Sequence, residues 1–385
     1  MEGDNLKVID SEKLPIKMWL TDIEDGALQQ AKNLANLPFV YKWISIMPDS
    51  HQGYGMPIGG VMATQGVIVP NAVGVDIGCG MRALKTSLTD ISTEELKLAM
   101  GKIRDVIPVG FNHHKEDQEW HELQKSPDIQ IIQDQIPSAK KQLGTLGGGN
   151  HFIEIQKGSD DHIWIMIHSG SRNFGKKTAD IYHKLAQKLC NRWYTQLPDR
   201  DLAFLPIETP EGKEYFLAMK YCLEFAKINR ELMMIRTLSC LSSVKECKSL
   251  DELDIHHNYA AFENHYGKDV LVHRKGATKA TKGLRGIIPG SMGTSSYITE
   301  GLGNPESFES CSHGAGRRMG RKDAVRTLNL KDEQDKMSGI VHGLRDASNL
   351  DEAPGAYKNI DEVMKNQEDL VEIKISLKPL ASIKG

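Results

Sequence analysis

Apolar and polar positions recur along this chain with two different periods, so the pattern predicts both helices and strands. Three stretches carry apolar residues at helical spacing: residues 23–37, 176–197 and 214–243. The last of these has the pattern of an amphipathic packing helix. A fourth helix is predicted from residue 92 to about 106, because Ser92 can cap it and two acids occupy its first turn.

Short apolar runs bounded by glycine or polar residues predict strands. They occupy residues 43–47, 67–69, 73–75, 81–88, 152–155 and 163–167. The polar, histidine-rich stretch 108–137 predicts a loop with a short helix. Beyond residue 254 the chain returns to strands and glycine loops as far as 313. The tail from 360 predicts a helix, a strand and an exposed end at 383–385.

The composition is that of an ordinary soluble globular protein, with 385 residues, 39% hydrophobic and 26% charged. A net charge of −3 gives no overall attraction to nucleic acid, so any such binding needs a local basic patch. No apolar run approaches the roughly 20 residues of a membrane helix, and the acidic start at residues 1–4 lacks a signal-peptide pattern. The six cysteines show no CxxC pair, so we expect a reducing, cytoplasmic location.

The densest chemical motif is the glycine-rich segment 74–80, which holds Asp76 and Cys79 three positions apart. Glycines leave this backbone free to turn tightly. A thiolate with a carboxylate forms a metal-ligand pair, whereas few structural roles require both. A turn aspartate beside a buried free cysteine is the plainer alternative, and this motif alone leaves it open.

A second segment joins three glycines, residues 147–149, to Asn150 and His151. The glycines predict a turn that delivers a side chain to a site. A phosphate-binding glycine loop is the alternative, but the helix that should follow such a loop is not predicted. A strand carrying Glu154 follows instead, which favours a ligand at a strand edge over a simple turn histidine.

Two further histidine motifs come next along the chain. His168 ends the strand 163–167, where a ligand would be rigidly held. Arg172 and two serines follow it and are suited to hydrogen-bonding phosphate oxygens. His256 and His257 offer two more candidates, of which at most one need be a ligand.

The last candidate motifs suit phosphate groups. Residues 288–294 form a loop of small residues whose amides and hydroxyls can bind phosphate oxygens. His313 is close in sequence to Arg317 and Arg318. Cations so near would lower the pKa of the His313 imidazole and leave it neutral and nucleophilic. Other basic residues flank these loops, and solvated surface charge is the plainer interpretation for some of them.

Taken together and in order, these motifs resemble those of the RtcB-type RNA-splicing ligases. The matching segments are residues 47–51, 74–80, 147–154, 168–172, 257–259, 273–277, 289–293, 313–317, 356–358 and 384–385. They span essentially the whole chain. The resemblance implies an α+β fold in one large domain, residues 1–385, with flanking helices around a mixed or antiparallel β-sheet core whose loops carry the metals.

The resemblance also implies a particular chemistry. Such ligases use GTP and manganese to join an RNA 3′-phosphate or 2′,3′-cyclic phosphate end to a 5′-hydroxyl end. The reaction passes through a histidine–GMP intermediate and a guanylate-activated RNA 3′ end, and cyclic ends are first hydrolysed to the 3′-phosphate. A role in RNA splicing or RNA repair would follow.

By motif position, the resemblance implies two manganese ions. Asp76, Cys79 and His151 would hold one of them. Cys79, His168 and His257 would hold the other, which makes Cys79 the bridge. His313 would be the nucleophile that takes GMP.

The resemblance further implies residues that bind the two substrates. Contacts to the guanosine nucleotide would come from Asn150, Phe152, Glu154, Pro289, Gly290, Ser291, Met292, His313, Gly314, Ala315, Gly316, Tyr357 and Lys384. Arg172, Arg317 and Arg321 would bind RNA phosphates, and Asp49 matches an active-site acid.

Two other functions stay open at this point. A dinuclear metallo-phosphoesterase would need the metals but no nucleophilic His313. A non-catalytic RNA-end-binding protein is the second, and the intact ligand set weighs against it. The expected partners are RNA and GTP, the chain is expected to be a monomer without a membrane partner, and an activating protein stays open. The sequence does not distinguish tRNA halves, a messenger and damaged RNA as the substrate.

Overall fold

Two large β-sheets, with helices around and between them, form the core of an α+β fold, as expected from the sequence. The computed structural model describes residues 6–121 and 125–385. Among these, the helices are α1 (Asp25–Ala35), α2 (Pro70–Val73), α3 (Thr93–Val106), α4 (Gln130–Gln142), α5 (Arg172–Arg192), α6 (Pro210–Ser242), α7 (Arg321–Thr327), α8 (Leu330–Lys336) and α9 (Ile360–Lys365).

The strands of the described residues fall into the two sheets and two short pairs. They are β1 (Lys7–Ile9), β2 (Ile16–Met18), β3 (Val40–Tyr54), β4 (Met56–Thr64), β5 (Val67–Ile68), β6 (Gly80–Thr86), β7 (Phe152–Gly158), β8 (Ile163–Ser169), β9 (Leu205–Pro206), β10 (Ser249–His256), β11 (Asn258–His265), β12 (Lys268–Lys275), β13 (Ala277–Lys279), β14 (Arg285–Ile288), β15 (Ser296–Gly301), β16 (Ser310–Ser312) and β17 (Val371–Lys384).

The first sheet has six strands in the order β1-β2-β3-β4-β12-β11 and is mixed, because β2 and β3 run parallel. The second has seven strands in the order β10-β6-β8-β7-β17-β15-β14, and its neighbours are antiparallel. This second sheet curls until its two edges meet. Arg285 of β14 donates two hydrogen bonds, of 3.0 and 2.5 Å, to the carboxylate of Asp251 on β10.

Helix α6 lies between the two sheets and is buried on more than one side. Its first half, including Met219 and Phe225, packs with Leu271 of the six-stranded sheet. Its second half, including Met233, packs with Ile165 of the seven-stranded sheet. A helix with apolar residues around its whole circumference is typically buried in the core. Helix α6 is accordingly more deeply enclosed than the predicted amphipathic pattern indicated.

Several sequence predictions are confirmed in the structure. Ser92 caps α3 in a reciprocal arrangement, accepting from the Glu95 amide while the Glu95 carboxylate accepts from the Ser92 amide. The strand predicted at residues 43–47 lies within β3. That strand continues to Tyr54, because the glycine-rich stretch that follows pairs with it as β4.

Two local predictions differ from the structure. Residues 73–75 are not a strand, because Pro70 begins the short helix α2 and Gly74, at φ +99°, ends it. The end at residues 383–385 is exposed only at Gly385, since Ile383 is 2% exposed and Lys384 is partly buried, both in β17. The loop with a short helix predicted at 108–137 agrees with α4, which begins at Gln130 and runs on to Gln142, and residues 122–124 within it lie outside the described residues.

Residues 1–4, whose acidic character was used above, also lie outside the described part of the chain. In the part that is described, no helix combines the length and the apolar character needed to cross a membrane.

Candidate metal centre and nucleotide cavity

Four neighbouring strands of the seven-stranded sheet each have an end on the same side of the sheet. Each strand carries a candidate ligand at or next to that end. His168 of β8 is paired with Met81 on one side and Phe152 on the other. His256 of β10 is paired with Gly80. Cys79, His151 and His257 lie one residue beyond these strand ends, so the register alone brings them beside His168.

The donor atoms of these residues form two overlapping groups. Those of Cys79, His168 and His257 lie within 4.8 Å of one another, as do those of Asp76, Cys79 and His151. The Cys79 Sγ is 3.2 Å from His168 Nε2 and 3.5 Å from His151 Nε2. The five ligands predicted from the sequence are therefore in one place, with Cys79 common to both groups.

The hydrogen bonding of the imidazoles fits metal ligation. The Nδ1 of His168 lies 3.1 Å from the Asn150 carbonyl oxygen, which can only accept, so Nδ1 carries the proton and Nε2 is free. The buried Nδ1 atoms of His151 and His257 have no hydrogen-bond partner among the described residues. A thiolate with imidazoles and one carboxylate is a donor set that suits transition metals.

Burial sets the protonation of these donors. It lowers the pKa of His168 and His257 well below the usual value, with neighbouring imidazoles adding to the effect, so both rings are neutral and able to bind a cation. Burial and the nearby Asp76 raise the pKa of the Cys79 thiol. Burial alone would raise the pKa of Asp76, but the hydrogen bond and charge of His151, together with the Cys79 hydrogen bond and the charge of Arg172, outweigh this and lower it.

The segment carrying Asp76 and Cys79 is held by contacts that sequence reasoning missed. Asn258 donates from Nδ2 to the Asp76 carbonyl at 3.0 Å and accepts from the Gly276 amide at 2.8 Å. Gly78 has φ +78°, and a Cβ there would come within 3.0 Å of Ala226 on α6. The loop is thus clamped between β11 and α6.

Two adjacent polar residues of α6 hydrogen-bond to the loops that carry the candidate ligands. Asn229 bonds Gly144, Thr145, Ser169 and Gly170, and Arg230 bonds the carbonyls of Gly78 and Ser169. The guanidinium of Arg230 also forms a two-point ion pair with Asp254, each contact 2.8 Å. Two fully buried polar residues in an apolar helix were the available signal, but their partners are remote in sequence.

His313 stands next to this metal centre and is held by Asp49. Its ring centroid lies 4.7 Å from that of His257. The Asp49 Oδ2 accepts from His313 Nδ1 at 2.5 Å and from the His313 amide at 3.1 Å. Burial would raise the pKa of Asp49, but the contact with His313 outweighs it and holds the pKa below its usual value. A carboxylate therefore binds the Nδ1 proton and leaves Nε2 as the free nitrogen.

The arginines near His313 are engaged elsewhere. Arg317 bonds the Asp351 carbonyl at 2.7 Å and the Glu352 carboxylate at 3.3 Å, and Arg318 bonds the Gly355 carbonyl at 2.8 Å. The sequence had assigned control of His313 to these arginines, whereas the charged group in contact with its ring is Asp49. The resemblance had supplied Asp49 without a role.

A cavity of about 1080 Å³ opens beside His313 and the metal donors. From the predicted nucleotide set it is lined by Asn150, Phe152, Pro289, Gly290, His313, Gly314, Ala315, Gly316, Tyr357 and Lys384. Lys384 Nζ lies 5.0 Å from the Phe152 ring centroid and 6.0 Å from that of Tyr357. Aromatic rings at a cavity wall can pack against a flat ring system, and the cation between them can bind a negatively charged group of the same ligand.

The other members of that set lie behind the cavity wall. Ser291 and Met292 are buried in the turn after β14, where the Ser291 amide bonds Thr294 at 2.7 Å. Glu154 is buried and accepts from Ser382 at 3.1 Å. Burial raises the pKa of Glu154 to about 7, against the opposing effect of Lys384. Nucleotide contacts by these residues stay predictions.

The three arginines predicted to bind RNA phosphates differ in place. Arg317 and Arg321 line the cavity. Arg172 does not; it bonds Thr145 at 2.9 Å and the Gly110 carbonyl at 2.8 Å, bracing the glycine turn before His151. Of the two candidates at 256 and 257, only His257 joins the metal donors, while the His256 ring packs edge-on against Tyr259 at 4.4 Å.

Comparison with known proteins gives one family. The family model described as tRNA-splicing ligase RtcB matches residues 30–135 and 121–385. The RNA-splicing ligase RtcB of Escherichia coli K12 is 40% identical over 99% of this chain and 100% of its own length. The tRNA-splicing ligases RtcB of Nanoarchaeum equitans and Thermococcus kodakarensis are 33% and 32% identical, over 99% and 94% of this chain and 95% and 92% of their own lengths.

Proposed function

Since this chain belongs to the RtcB family, we propose that it is an RNA ligase that uses GTP to join RNA 3′-phosphate or 2′,3′-cyclic phosphate ends to 5′-hydroxyl ends, in RNA splicing or RNA repair. The observation that carries the proposal is the His313–Asp49 pair beside the donors of the metal centre. A metallo-phosphoesterase needs the metal donors alone. An imidazole with its Nδ1 proton fixed by a buried carboxylate is instead the arrangement of a nucleophile.

The metal centre fits two manganese ions. Asp76, Cys79 and His151 would hold one, and Cys79, His168 and His257 the other. Bound there, such cations would neutralise negative charge on the triphosphate and on the RNA phosphates. The neutral imidazoles and the shared thiol described above support this assignment.

In the first step His313 Nε2 attacks the α-phosphorus of GTP. An N–P bond forms, the bond from that phosphorus to the bridging oxygen breaks, and pyrophosphate leaves. The imidazole becomes positively charged as it is guanylated, because it keeps its Nδ1 proton. Asp49 compensates this charge at 2.5 Å, as a buried carboxylate does for other catalytic histidines.

In the next two steps the guanylate passes to the RNA and then leaves it. An oxygen of the RNA 3′-phosphate attacks the His313-linked phosphorus, the N–P bond breaks, and the RNA end carries GMP through a pyrophosphate. The 5′-hydroxyl of the second RNA then attacks the former 3′-phosphate, and GMP departs. Cyclic ends enter this sequence after hydrolysis to the 3′-phosphate. Arg317 and Arg321 line the same cavity, and they would bind RNA phosphates by exchanging part of their ion pairing with Glu352 and Asp351.

The guanosine would occupy the part of the cavity between Phe152, Tyr357 and Lys384. Rings on two sides can stack on or border the base, and Lys384 can meet a phosphate or ribose oxygen. Glu154 stands two residues after Phe152 on β7, opposite Ser382. Its buried carboxyl group is outside the cavity lining, and its contact with the guanine edge is assigned by the family resemblance. In this arrangement the α-phosphorus would lie on the His313 side.

Incubation with GTP labelled at the α-phosphate and with manganese tests the proposal. The wild-type chain should take up label in an acid-labile, base-stable bond and pass it to RNA bearing a 3′-phosphate. His313→Ala should keep its manganese but take up no label, while His113→Ala, at an exposed histidine, should label normally. Strong labelling of His313→Ala would place the nucleophile elsewhere.

A second labelling experiment tests the polarity of the joint. The 3′-phosphate of the upstream RNA is labelled, the RNA is ligated to an unlabelled 5′-hydroxyl strand, and the product is digested. Label inside the new linkage is expected. A requirement for a 5′-phosphate and a 3′-hydroxyl would place the chain in another class of ligase and remove the assigned role of His313.

A further inference from the structure

The turn between β3 and β4 carries an aromatic side chain at the mouth of the cavity. Tyr54 is 68% exposed and lines the same cavity as His313. Among the described residues its side chain makes no ring contact and no hydrogen bond. A large ring in this position contributes nothing to the core, so its place at the cavity mouth requires another explanation.

The backbone beneath that ring is held by side chains from two other elements. Gln30 of α1 donates to the Gly53 carbonyl at 2.7 Å and accepts from the Gly53 amide at 3.1 Å. Lys275 of β12 donates from Nζ to the Tyr54 carbonyl at 2.6 Å. Both Gln30 and Lys275 are buried, so each of these bonds is shielded from water.

Further contacts fix the two ends of the same turn. The Gln52 amide donates to the Glu24 carboxylate at 3.2 Å. Gly55 has φ +68°, and a Cβ there would come within 2.9 Å of the Asp201 carbonyl oxygen. A hairpin turn needs none of these external bonds in order to form. Their effect is to fix the backbone from which the exposed ring projects, so that a ligand packing on the ring loses little backbone entropy of the turn.

The turn is connected to the nucleophile through a short series of contacts. A Cβ at Gly53 would lie 3.2 Å from Lys275 Nζ and 3.4 Å from Ile58. The next residue after Lys275 is Gly276, where a Cβ would lie 3.1 Å from His313 Cε1. The backbone of the Tyr54 turn is therefore connected through Lys275 and Gly276 to His313, and Tyr54, Gly276 and His313 line the same cavity. Phe152, Tyr357 and Lys384, assigned above to the guanosine, take part in none of these contacts.

We propose that Tyr54 is a stacking platform for the base of the last nucleotide of the 3′-phosphate RNA strand. This rests on the proposed function. The 3′-phosphate must reach the guanylate on His313 before any 5′-hydroxyl strand is needed, and the Tyr54 turn lines the same cavity as His313. Aromatic faces bind unpaired bases of any identity, which suits an enzyme that must accept different RNA ends.

The test isolates the transfer of guanylate to RNA. Guanylated protein, freed of GTP, is mixed with RNA that has a 3′-phosphate and a 5′-phosphate, so that no 5′-hydroxyl acceptor is present. Tyr54→Leu should weaken the apparent affinity for this RNA by about 5- to 150-fold, the range expected for one base stacked on an aromatic ring. Tyr54→Phe should behave as wild type, because it keeps the ring.

Two controls separate stacking from damage to the fold. Guanylation of Tyr54→Leu by GTP alone should match wild type, since the guanosine binds elsewhere. Tyr194→Leu removes another exposed tyrosine, 93% accessible and outside the cavity lining, and should leave every step unchanged. An equal loss in Tyr54→Phe and Tyr54→Leu would overturn the proposal, because the ring would then not be the cause.

A double-mutant cycle tests the contact itself. The second RNA has the same strand with a 3′-terminal nucleotide that lacks its base. Wild type should bind this RNA as weakly as Tyr54→Leu binds the intact strand, and Tyr54→Leu should lose little more on the abasic strand. Additive losses would show that Tyr54 does not contact that base and would overturn the proposal.

The outcomes distinguish this inference from the function on which it rests. A wild-type chain that takes up no guanylate and joins no RNA would overturn the proposed function. A wild-type chain that ligates, while Tyr54→Leu transfers guanylate with unchanged RNA affinity, would overturn the platform alone. A defect of Tyr54→Leu confined to the sealing step with 5′-hydroxyl RNA would also overturn it, because the ring would then serve the other strand.

Discussion

The two large sheets supply different parts of the candidate site. The seven-stranded sheet places Cys79, His151, His168 and His257 at or next to its strand ends. The six-stranded sheet supplies Asp49 from β3, and β12 runs into Gly276, which lies against His313. The donors thus lie mainly at the ends of one sheet and the carboxylate that holds His313 on the other, although Asn258 of β11 also fixes the Asp76 segment. Substitutions should therefore be able to remove metal binding and leave the His313–Asp49 pair, or the reverse.

The largest effect is expected at Cys79, because it belongs to both donor groups. Cys79→Ala should retain neither manganese ion and should not be guanylated, whereas His257→Ala should lose mainly one ion. Elemental analysis after dialysis against manganese measures this. Cys240→Ala, at a partly exposed free cysteine of α6, is the matched control and should keep both ions. Two full equivalents of metal in Cys79→Ala would contradict the shared-ligand arrangement.

The converse substitution is Asp49→Asn, on the six-stranded sheet. It should keep its manganese but slow guanylation by about 10³- to 10⁴-fold, since an amide does not fix the required imidazole tautomer or compensate the charge on His313. Rapid-quench measurement of the guanylation rate, with metal analysis of the same sample, checks both halves. Asp332→Asn, at an exposed aspartate, serves as control. A loss of less than tenfold would mean that Asp49 does not control the ring.

Substitution of Arg230 tests how far the position of the metal-donor residues depends on α6. Arg230→Met should lower the free energy of unfolding by about 3–5 kcal/mol, because it removes a buried partner from Asp254. It should also weaken manganese binding, because the Gly78 and Ser169 carbonyls lose their hydrogen-bond partner and no longer fix the neighbouring donors Cys79 and His168. Urea denaturation and a manganese titration measure the two effects.

The matched control for Arg230 is an exposed ion pair. Arg326 contacts Asp323 at 2.7 Å on the surface of α7, so Arg326→Met should cost only about 0–1 kcal/mol. Arg230→Met combined with Asp254→Leu should recover part of the lost stability, because no buried charge is then left without its partner. Equal losses for Arg230→Met and Arg326→Met would contradict a bracing role for α6.

The smallest expected effect is a pH dependence of GTP binding, which Glu154 on the seven-stranded sheet should cause. Burial raises its pKa to about 7, and Lys384 is the opposing charge that faces it. Guanine presents N–H donors, so the ionised carboxylate is the binding form. Affinity should be full above pH 8 and fall as the pH drops through 7, about tenfold by pH 6.

Equilibrium binding of GTP to the His313→Ala protein, which cannot consume it, measures this dependence. Glu154→Gln should flatten the profile, because its amide does not titrate. A Glu154→Gln profile that still falls below pH 7 would assign the dependence to another group.

The sequence predicted that these candidate donors would come together, because each histidine motif adjoined an apolar strand and strand ends hold side chains rigidly. The division of those ligands between two ions came from the family resemblance; spacing along the chain carries no such information. Asn229 and Arg230 were missed because their partners at Gly78 and Ser169 lie 60 residues or more away in sequence. Strand prediction at residues 73–75 failed because Pro70 favours the first turn of a helix over a strand.

The contacts of Asn229 and Arg230 also bear on how this site opens. Together they bind backbone groups from the segments that carry Cys79, His151 and His168, and Arg230 adds Asp254 of β10. None of these segments can loosen by itself without breaking bonds to the same two side chains. In native-state hydrogen exchange they should behave as one cooperative unit, with amides that share a single opening free energy and gain protection only when α6 docks.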